Sequence, residues 1–179
     1  MVKIGGSFNK FQRIVHDVAR ELGKDIALHI SGGDTELDKT LVERIADPLT
    51  HLVRNAMDHG IEATEVRLAQ GKPAQGTVRL NAYHEAGSIV IEVTDDGGGL
   101  DRTRILAKAM ERGLVGEGQH LADKDILNLI FEPGFSTAEQ ISNLSGRGVG
   151  MDVVKRNITA LRGSVDLDSE LGVGTRVRI

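Results

Sequence analysis

The sequence predicts an α+β domain, and three observations carry that prediction. Gly76 to His84 and Ser88 to Asp95 alternate apolar and polar residues around a short turn at Glu85-Ala86-Gly87, the pattern of a hairpin. A second pair of alternating segments, Ser164 to Asp168 and Thr175 to Ile179, flanks Gly172-Val173-Gly174. The segments between and before these pairs place apolar residues at helical spacing and end at glycine.

Taken in order, Phe8, Phe11, Ile14, Val15, Val18 and Leu22 form one helical stripe, stopped by Gly23. Asp25 to Ser31 alternates as a strand ending at Gly32-Gly33. Asp38 is placed to cap a long helix reaching His59. Pro48 lies inside that helix, where it removes one hydrogen bond or kinks the axis. Ala63 to Gln70 reads as a short helix ended by Gly71-Lys72-Pro73. Asp101 to Arg112 reads as a helix ended by Gly113. Residues 114–145 are mixed: Lys124 to Phe131 is helical in pattern, while Pro133-Gly134-Phe135-Ser136-Thr137 reads as loop. A long, partly irregular insertion between regular elements points to function. Met151 to Leu161 is the last helix. The chain stops inside a strand pattern, the mark expected of an excised domain.

The chain has 179 residues, which fits one compact domain with at most a short extra element. Its net charge of −4 does not indicate a nucleic-acid footprint. Cysteine is absent, so there is no disulfide framework and no thiolate metal site. No apolar run is long enough to span a membrane, and Met1 to Gly6 lacks the apolar core of a signal peptide. A cytoplasmic location is expected.

One helix face is unusual. At about 100° per residue, His51, Arg54, Asn55, Asp58 and His59 fall within roughly 140° of arc. Leu49, Leu52, Val53, Ala56 and Met57 take the opposite side. Surface helices ordinarily cover the wet face with Lys and Glu. This face carries groups that ligate metal, move protons and bind phosphate. A solvated face ending in a His59-Gly60 cap remains open from this stretch alone.

Two glycine-rich segments narrow the choice. The strand 89–94 runs into Asp95-Asp96-Gly97-Gly98-Gly99, where a carboxylate can accept a hydrogen bond from the exocyclic amine of adenine. Guanine presents a carbonyl at that place. A plain Asp-Gly turn is the simpler alternative. Farther on, Ser145-Gly146-Arg147-Gly148-Val149-Gly150 opens into the helix at Met151, and free amides at a helix start make an anion site. Arg147 or Lys155 could add charge there. A dinucleotide fingerprint is rejected, because the spacing is G-x-G-x-G and 140–144 is a poor buried strand. No Gly-Lys-Ser or Gly-Lys-Thr follows, so it is not a Walker loop.

The order of these segments resembles the ATP-binding domain shared by gyrase, Hsp90, histidine kinases and MutL, the GHKL or Bergerat fold. Within it, the stretch from His51 to Glu62, Pro133 to Thr137 and Ser145 to Lys155 are similar to the kinase domain of the chemotaxis histidine kinases of the CheA family. The resemblance covers nearly the whole chain. It implies a two-layer α/β sandwich with a mixed, mostly antiparallel sheet covered on one face by helices. Residues 1–23 would be a joint to a dimerisation domain, residues 24–179 the kinase domain, and residues from about 114 to 145 its lid.

The resemblance also assigns roles. Asn55 matches the Mg²⁺ ligand, and Asp58 and His59 flank the phosphates of ATP. Asp95 matches the adenine-reading carboxylate, Gly97 and Gly99 the paired glycines, and Thr175 the threonine supporting Asp95. Gly146, Arg147, Gly148, Val149 and Gly150 match the phosphate loop, and Ser136 and Thr137 lie in the lid. Arg104 sits where the family has a basic residue reaching ATP, and Arg54 joins the catalytic set. Hydrolysing relatives carry glutamate where this chain has His51, which favours transfer to a protein histidine over hydrolysis. The position between the paired glycines often holds Arg in the family and is Gly98 here. His16, His29, His84 and His120 match no metal pattern. The implied reaction moves the γ-phosphoryl of ATP to a histidine on a separate domain of the same kinase, in trans within a dimer. The implied partners are a coupling protein, a chemoreceptor array where the full protein would reside, and response regulators.

Overall fold

The computed structural model describes residues 1–116, 118, 120–133, 135 and 151–179, with Arg176 to Arg178 described through the backbone alone. The strands are β1 (Val2–Lys3), β2 (Ile26–Ser31), β3 (Glu36–Leu37), β4 (Gly76–Glu85), β5 (Ser88–Asp95), β6 (Asp166–Glu170) and β7 (Gly174–Arg178). The helices are α1 (Gly5–Leu22), α2 (Lys39–Asn55), α3 (Thr64–Ala69), α4 (Arg102–Glu111), α5 (Asp123–Asn128) and α6 (Met151–Ala160). A five-stranded sheet runs in the order β2-β4-β5-β7-β6. Only the β2–β4 pairing is parallel; β4–β5, β5–β7 and β6–β7 are antiparallel. The α+β class and the mostly antiparallel sheet match the sequence prediction. The small antiparallel pair of β1 with β3 had no readable pattern at two residues per strand.

The main core lies between the sheet and α1, α2 and α6. Phe8, Phe11, Val15 and Val18 of α1 pack there with Leu49, Leu52 and Val53 of α2, Val78 and Leu80 of β4, and Val154 of α6. The stripe read in α1 is thus its buried face, and the helix shares one core with the sheet. A second cluster joins Ile105 and Ala109 of α4 to Ile126 and Leu127 of α5, Phe131, Phe135 and Leu167 of β6. The described part of the insertion is therefore packed, because Phe131 and Phe135 insert between α4 and the sheet edge.

Local chemistry sets the helix ends. The Asp38 carboxylate accepts from the Thr40 and Leu41 amides at 2.8 and 3.4 Å, capping α2. Asp101 does the same for α4 with Thr103 and Arg104. It stands outside that helix as its cap, so the helix begins one position after the start the sequence suggests. Gly23 closes α1 in the left-handed conformation, at φ 65°. Pro48 is buried within α2, which continues through it.

The predicted single helix from Asp38 to His59 requires a correction. Its α-helical part ends at Asn55, and Ala56–Gly60 forms a π-turn. The Ile61 amide donates to the Ala56 carbonyl at 2.8 Å, five residues back. One extra residue enters the turn, so a wheel drawn at 100° per residue fails beyond Ala56. The last helix of the insertion also shortens. Lys124 to Phe131 divides into α5 and a 3₁₀ turn at Leu129–Phe131.

Candidate nucleotide site

The polar residues of α2 do not form a solvated face. His51 is only 8% exposed, while Leu49, Leu52, Val53, Ala56 and Met57 on the other side are buried as predicted. Burial holds the His51 imidazole below its ordinary pKa, and the nearby charges of His59 and Arg54 push the same way against Asp152. His51 is thus a neutral imidazole at neutral pH. Arg54 is half-buried, and among the described residues its Nε is a buried donor without a hydrogen-bond partner. An orphaned guanidinium donor beside a helix polar face fits an incoming anion. The Asn55 amide nitrogen donates to the Met151 sulfur at 2.9 Å, tying α2 to the start of α6. That contact uses the nitrogen and leaves the amide oxygen as the group suited to a hard cation. The π-turn sets Asp58 and His59 beside each other, with Nε2 to Oδ2 at 3.5 Å; His59 is exposed.

Lys24, just before β2, fixes this turn. Its ammonium donates to the carbonyls of Met57, Asp58 and Ile61 at 2.9, 2.9 and 2.6 Å. These are the carbonyls that a helix end leaves without intrahelical partners. Burial holds its pKa below the ordinary lysine value, against the pull of Asp58 and Glu62. Lys24→Met is expected to destabilise the fold by about 1.5–3 kcal/mol, the usual worth of hydrogen bonds to a charged group. Urea denaturation of the variant measures this, and an unchanged midpoint would refute the anchoring role.

Asp95 ends β5 and is 7% exposed. The Gly97 amide donates to its Oδ1 at 2.9 Å. Burial pushes its carboxyl up to about 6, with Asp96 and Glu62 adding to the rise and the Gly97 and Thr175 backbones opposing it. Thr175 stands opposite Asp95 in the β5–β7 register, and its hydroxyl is 3.0 Å from that of Ser169. Ser169 also accepts from the Leu100 amide at 2.7 Å, pinning the end of the glycine segment. A Cβ on Gly97 would run into the carbonyl of Gly60, and one on Gly60 would press on the Asp95 carboxylate. Gly99 adopts φ 73°, and a Cβ there would strike the Glu170 carbonyl. Gly98 differs: a Cβ there meets only ordinary contact with Glu62, so the site accepts a side chain.

A cleft of ≈ 620 Å³ opens beside Asp95 and Thr175, with Leu127 and Leu167 among its lining and Arg102 and Lys124 at its polar side. Arg102, which the sequence did not single out, lines it, whereas Arg104 is exposed on α4 and is not among the lining residues. The structure therefore brings Asp95, Gly97 and Thr175 together, and separately brings His51, Arg54, Asn55 and Asp58 together. Gly60 joins the two groups, with its carbonyl accepting from the Gly98 amide at 3.0 Å. Ser136, Thr137, Gly146, Arg147, Gly148, Val149 and Gly150 lie outside the described residues.

The sequence reading missed Lys24, Gly60, Ser169, Glu62, Arg67 and Lys72. Arg67 is 1% exposed, whereas Val66 and Leu68 on the same short helix are exposed. Only the absence of a strong apolar stripe in Ala63 to Gln70 hinted that something other than a hydrophobe anchors that helix. Among the described residues no three His, Asp or Glu side chains gather as a metal cage. No helix of the described residues is long and apolar enough to cross a membrane.

The chain is similar to known proteins along its length. Residues 44–179 match the family described as histidine kinase-, DNA gyrase B-, and HSP90-like ATPase. The chain is 56% identical over 172 residues to the chemotaxis protein CheA of Salmonella typhimurium, covering 96% of this chain and 26% of that protein. It is 53% identical over 181 residues to the sensor histidine kinase CheAY of Helicobacter pylori, covering 100% of this chain and 22% of that protein. The chain thus spans about a quarter of the length of these curated relatives. The histidine kinase domain of a blue-light activated kinase from Erythrobacter litoralis superposes with a TM-score of 0.54 at 18% identity, covering 99% of this chain and 64% of that one. At that identity the likeness shows the fold alone. With a buried carboxylate at the end of β5, a glycine turn locked beneath it and a family match over residues 44–179, the chain belongs to the histidine kinase-, DNA gyrase B- and HSP90-like ATPase family, and it is about half identical along its length to part of the chemotaxis kinases.

Proposed function

We propose that this chain is the Mg-ATP-binding catalytic domain of a chemotaxis histidine autokinase. The reaction transfers the γ-phosphoryl of ATP to a histidine on a separate acceptor domain of the same kinase, in trans within a dimer. The observation that carries the reading is Asp95, a buried carboxylate with one oxygen held by the Gly97 amide. Ionised, it accepts from the exocyclic amine of adenine; guanine's carbonyl would meet it with like polarity. Thr175 supports it from β7. Asn55 would hold Mg²⁺ through its amide oxygen, and the ion supplies charge neutralisation across the phosphates. Arg54, whose Nε has no partner among the described residues, and His59 add positive character beside them. Arg104 reaches the same nucleotide only through a change of its exposed position. By the family's pattern, Ser136, Thr137 and the segment Gly146-Arg147-Gly148-Val149-Gly150 are assigned to the phosphates of ATP.

His51 decides between phosphotransfer and hydrolysis. Its neutral, buried imidazole accepts or orients the proton of an incoming acceptor imidazole. In this reading residues 1–23 join the domain to a dimerisation element, and residues 24–179 are the kinase domain. The full protein works with a coupling protein, a chemoreceptor array and response regulators. The test is to mix the chain with an isolated acceptor-histidine domain, Mg²⁺ and labelled ATP. Acid-labile label on the acceptor is expected. Steady phosphate release with an unlabelled acceptor would instead make the chain a hydrolase, and ATP binding with neither outcome would make it a binding module.

A further inference from the structure

Among the described residues Arg67 is the largest fully buried side chain, and it is charged. Taking a guanidinium out of water costs several kcal/mol, and a hydrophobe of similar volume often fills such space as well or better. Its donors are all directed at particular groups. Nε donates to the Pro73 carbonyl at 2.8 Å. Nη1 donates to Glu62 Oε1 at 2.9 Å and to the Asp96 carbonyl at 3.1 Å. Nη2 donates to Asp96 Oδ2 at 3.3 Å and to the Gln75 carbonyl at 3.4 Å. Lys72 extends the network, donating to Glu62 Oε2 at 2.7 Å, the Gly97 carbonyl at 2.9 Å and the Asp96 carbonyl at 3.3 Å. The Asp96 carboxylate in turn accepts from the Thr77 amide at 2.8 Å. Burial pushes the Glu62 carboxyl up, but the Lys72 hydrogen bond and the two cations outweigh it and leave it below the usual glutamate value.

These contacts converge on the backbone around Asp95. Gly97 gives its amide to Asp95 and its carbonyl to Lys72. Glu62 follows by two residues Gly60, the glycine that backs the Asp95 carboxylate. Resting on the reading of Asp95 as the adenine acceptor, we propose that Glu62, Arg67 and Lys72 form a charged clamp that sets the base selectivity of the site. The clamp binds no nucleotide itself. It holds the 95–99 turn against the 60–62 segment, so that the carboxylate meets the base at one distance and angle. Fork-like guanidinium donors and a fixed ammonium provide registration that an apolar plug would not.

The test compares ATP and GTP binding to the chain by titration calorimetry, with folding followed by circular dichroism. Lys72 is partly exposed, so Lys72→Met is the main variant. It should weaken ATP about tenfold while leaving GTP nearly unchanged, narrowing the ATP-to-GTP ratio by the same factor. Lys72→Arg should restore the ratio. Arg67→Met should narrow it further, read on folded protein; if that variant does not fold, Lys72→Met decides. A lowered melting temperature with an unchanged ratio in Lys72→Met would reduce the clamp to a structural device and overturn the proposal. Asp95→Asn is run alongside. If the unaltered chain shows no preference for ATP, or Asp95→Asn retains the full preference, the adenine reading and the clamp fall together. If Asp95→Asn loses the preference while both clamp variants keep it, the clamp alone falls.

Discussion

Asp95→Asn is expected to lower ATP affinity by about 100-fold at neutral pH, as the loss of a buried charge-assisted hydrogen bond does. The isosteric amide can still accept from Gly97 through its oxygen. Its nitrogen then faces the exocyclic amine of adenine, a donor against a donor. GTP should lose less, because the guanine carbonyl accepts from that nitrogen, so the ATP-to-GTP ratio collapses. Calorimetry on both nucleotides measures this, and an unchanged ratio would remove Asp95 from base recognition. The pH dependence follows from its ionisation. The carboxyl is raised from 3.8 to about 6 by burial, so ATP affinity holds above about 6 and falls as acid protonates the acceptor. Fold stability takes the opposite sign. Between 3.8 and about 6 the folded state binds more proton than the unfolded chain. The Asp95 contribution is therefore fully present below 3.8 and lost as pH rises through about 6. The acid loss of ATP binding should vanish in Asp95→Asn.

His51→Gln should abolish phosphoryl transfer to an acceptor histidine and leave ATP affinity within about twofold, a loss in the chemical step alone. The imidazole is buried on α2, distant in chain from the Asp95 turn. Single-turnover transfer and calorimetry on the same protein separate the two effects. Equal losses in both would show that His51 shapes the nucleotide site and performs no proton chemistry. Its lowered pKa gives a further sign. Transfer should persist somewhat below pH 6.5, where a free imidazole would already be protonated. As a histidine with a depressed folded value, its stability contribution is present above 6.5 and lost as pH falls through the lower folded pKa.

Much of the architecture is legible in period and punctuation. The hairpin of β4 and β5, the α1 stripe, the Asp38 cap and the C-terminal strand pair follow from rules that act within a few residues. The same holds for the order of polar helix and strand-Asp-x-Gly turn. The π-turn was not legible, because nothing local in Ala56 to Gly60 distinguishes five-residue from four-residue bonding. What selects it is tertiary: Lys24 gathers the carbonyls it frees, and Gly60 must reach the underside of Asp95. The small β1–β3 pair was unreadable for the converse reason, being too short to have a period.

By itself, the sequence determined the α+β class, the positions of most elements and the residue types offered to a nucleotide. Those depend on side-chain period, caps and glycine placement, which are properties of neighbouring residues. Tertiary structure alone decided which of those residues are buried, ionised or held in register. Asp95 rises to about 6 because the chain closes over it from Gly60, Gly97 and Thr175. Arg67 becomes the most buried cation because Glu62, Asp96 and three distant or local carbonyls converge on it. Desolvation and charge pairing are set by what surrounds a group in space, and a linear pattern does not record that.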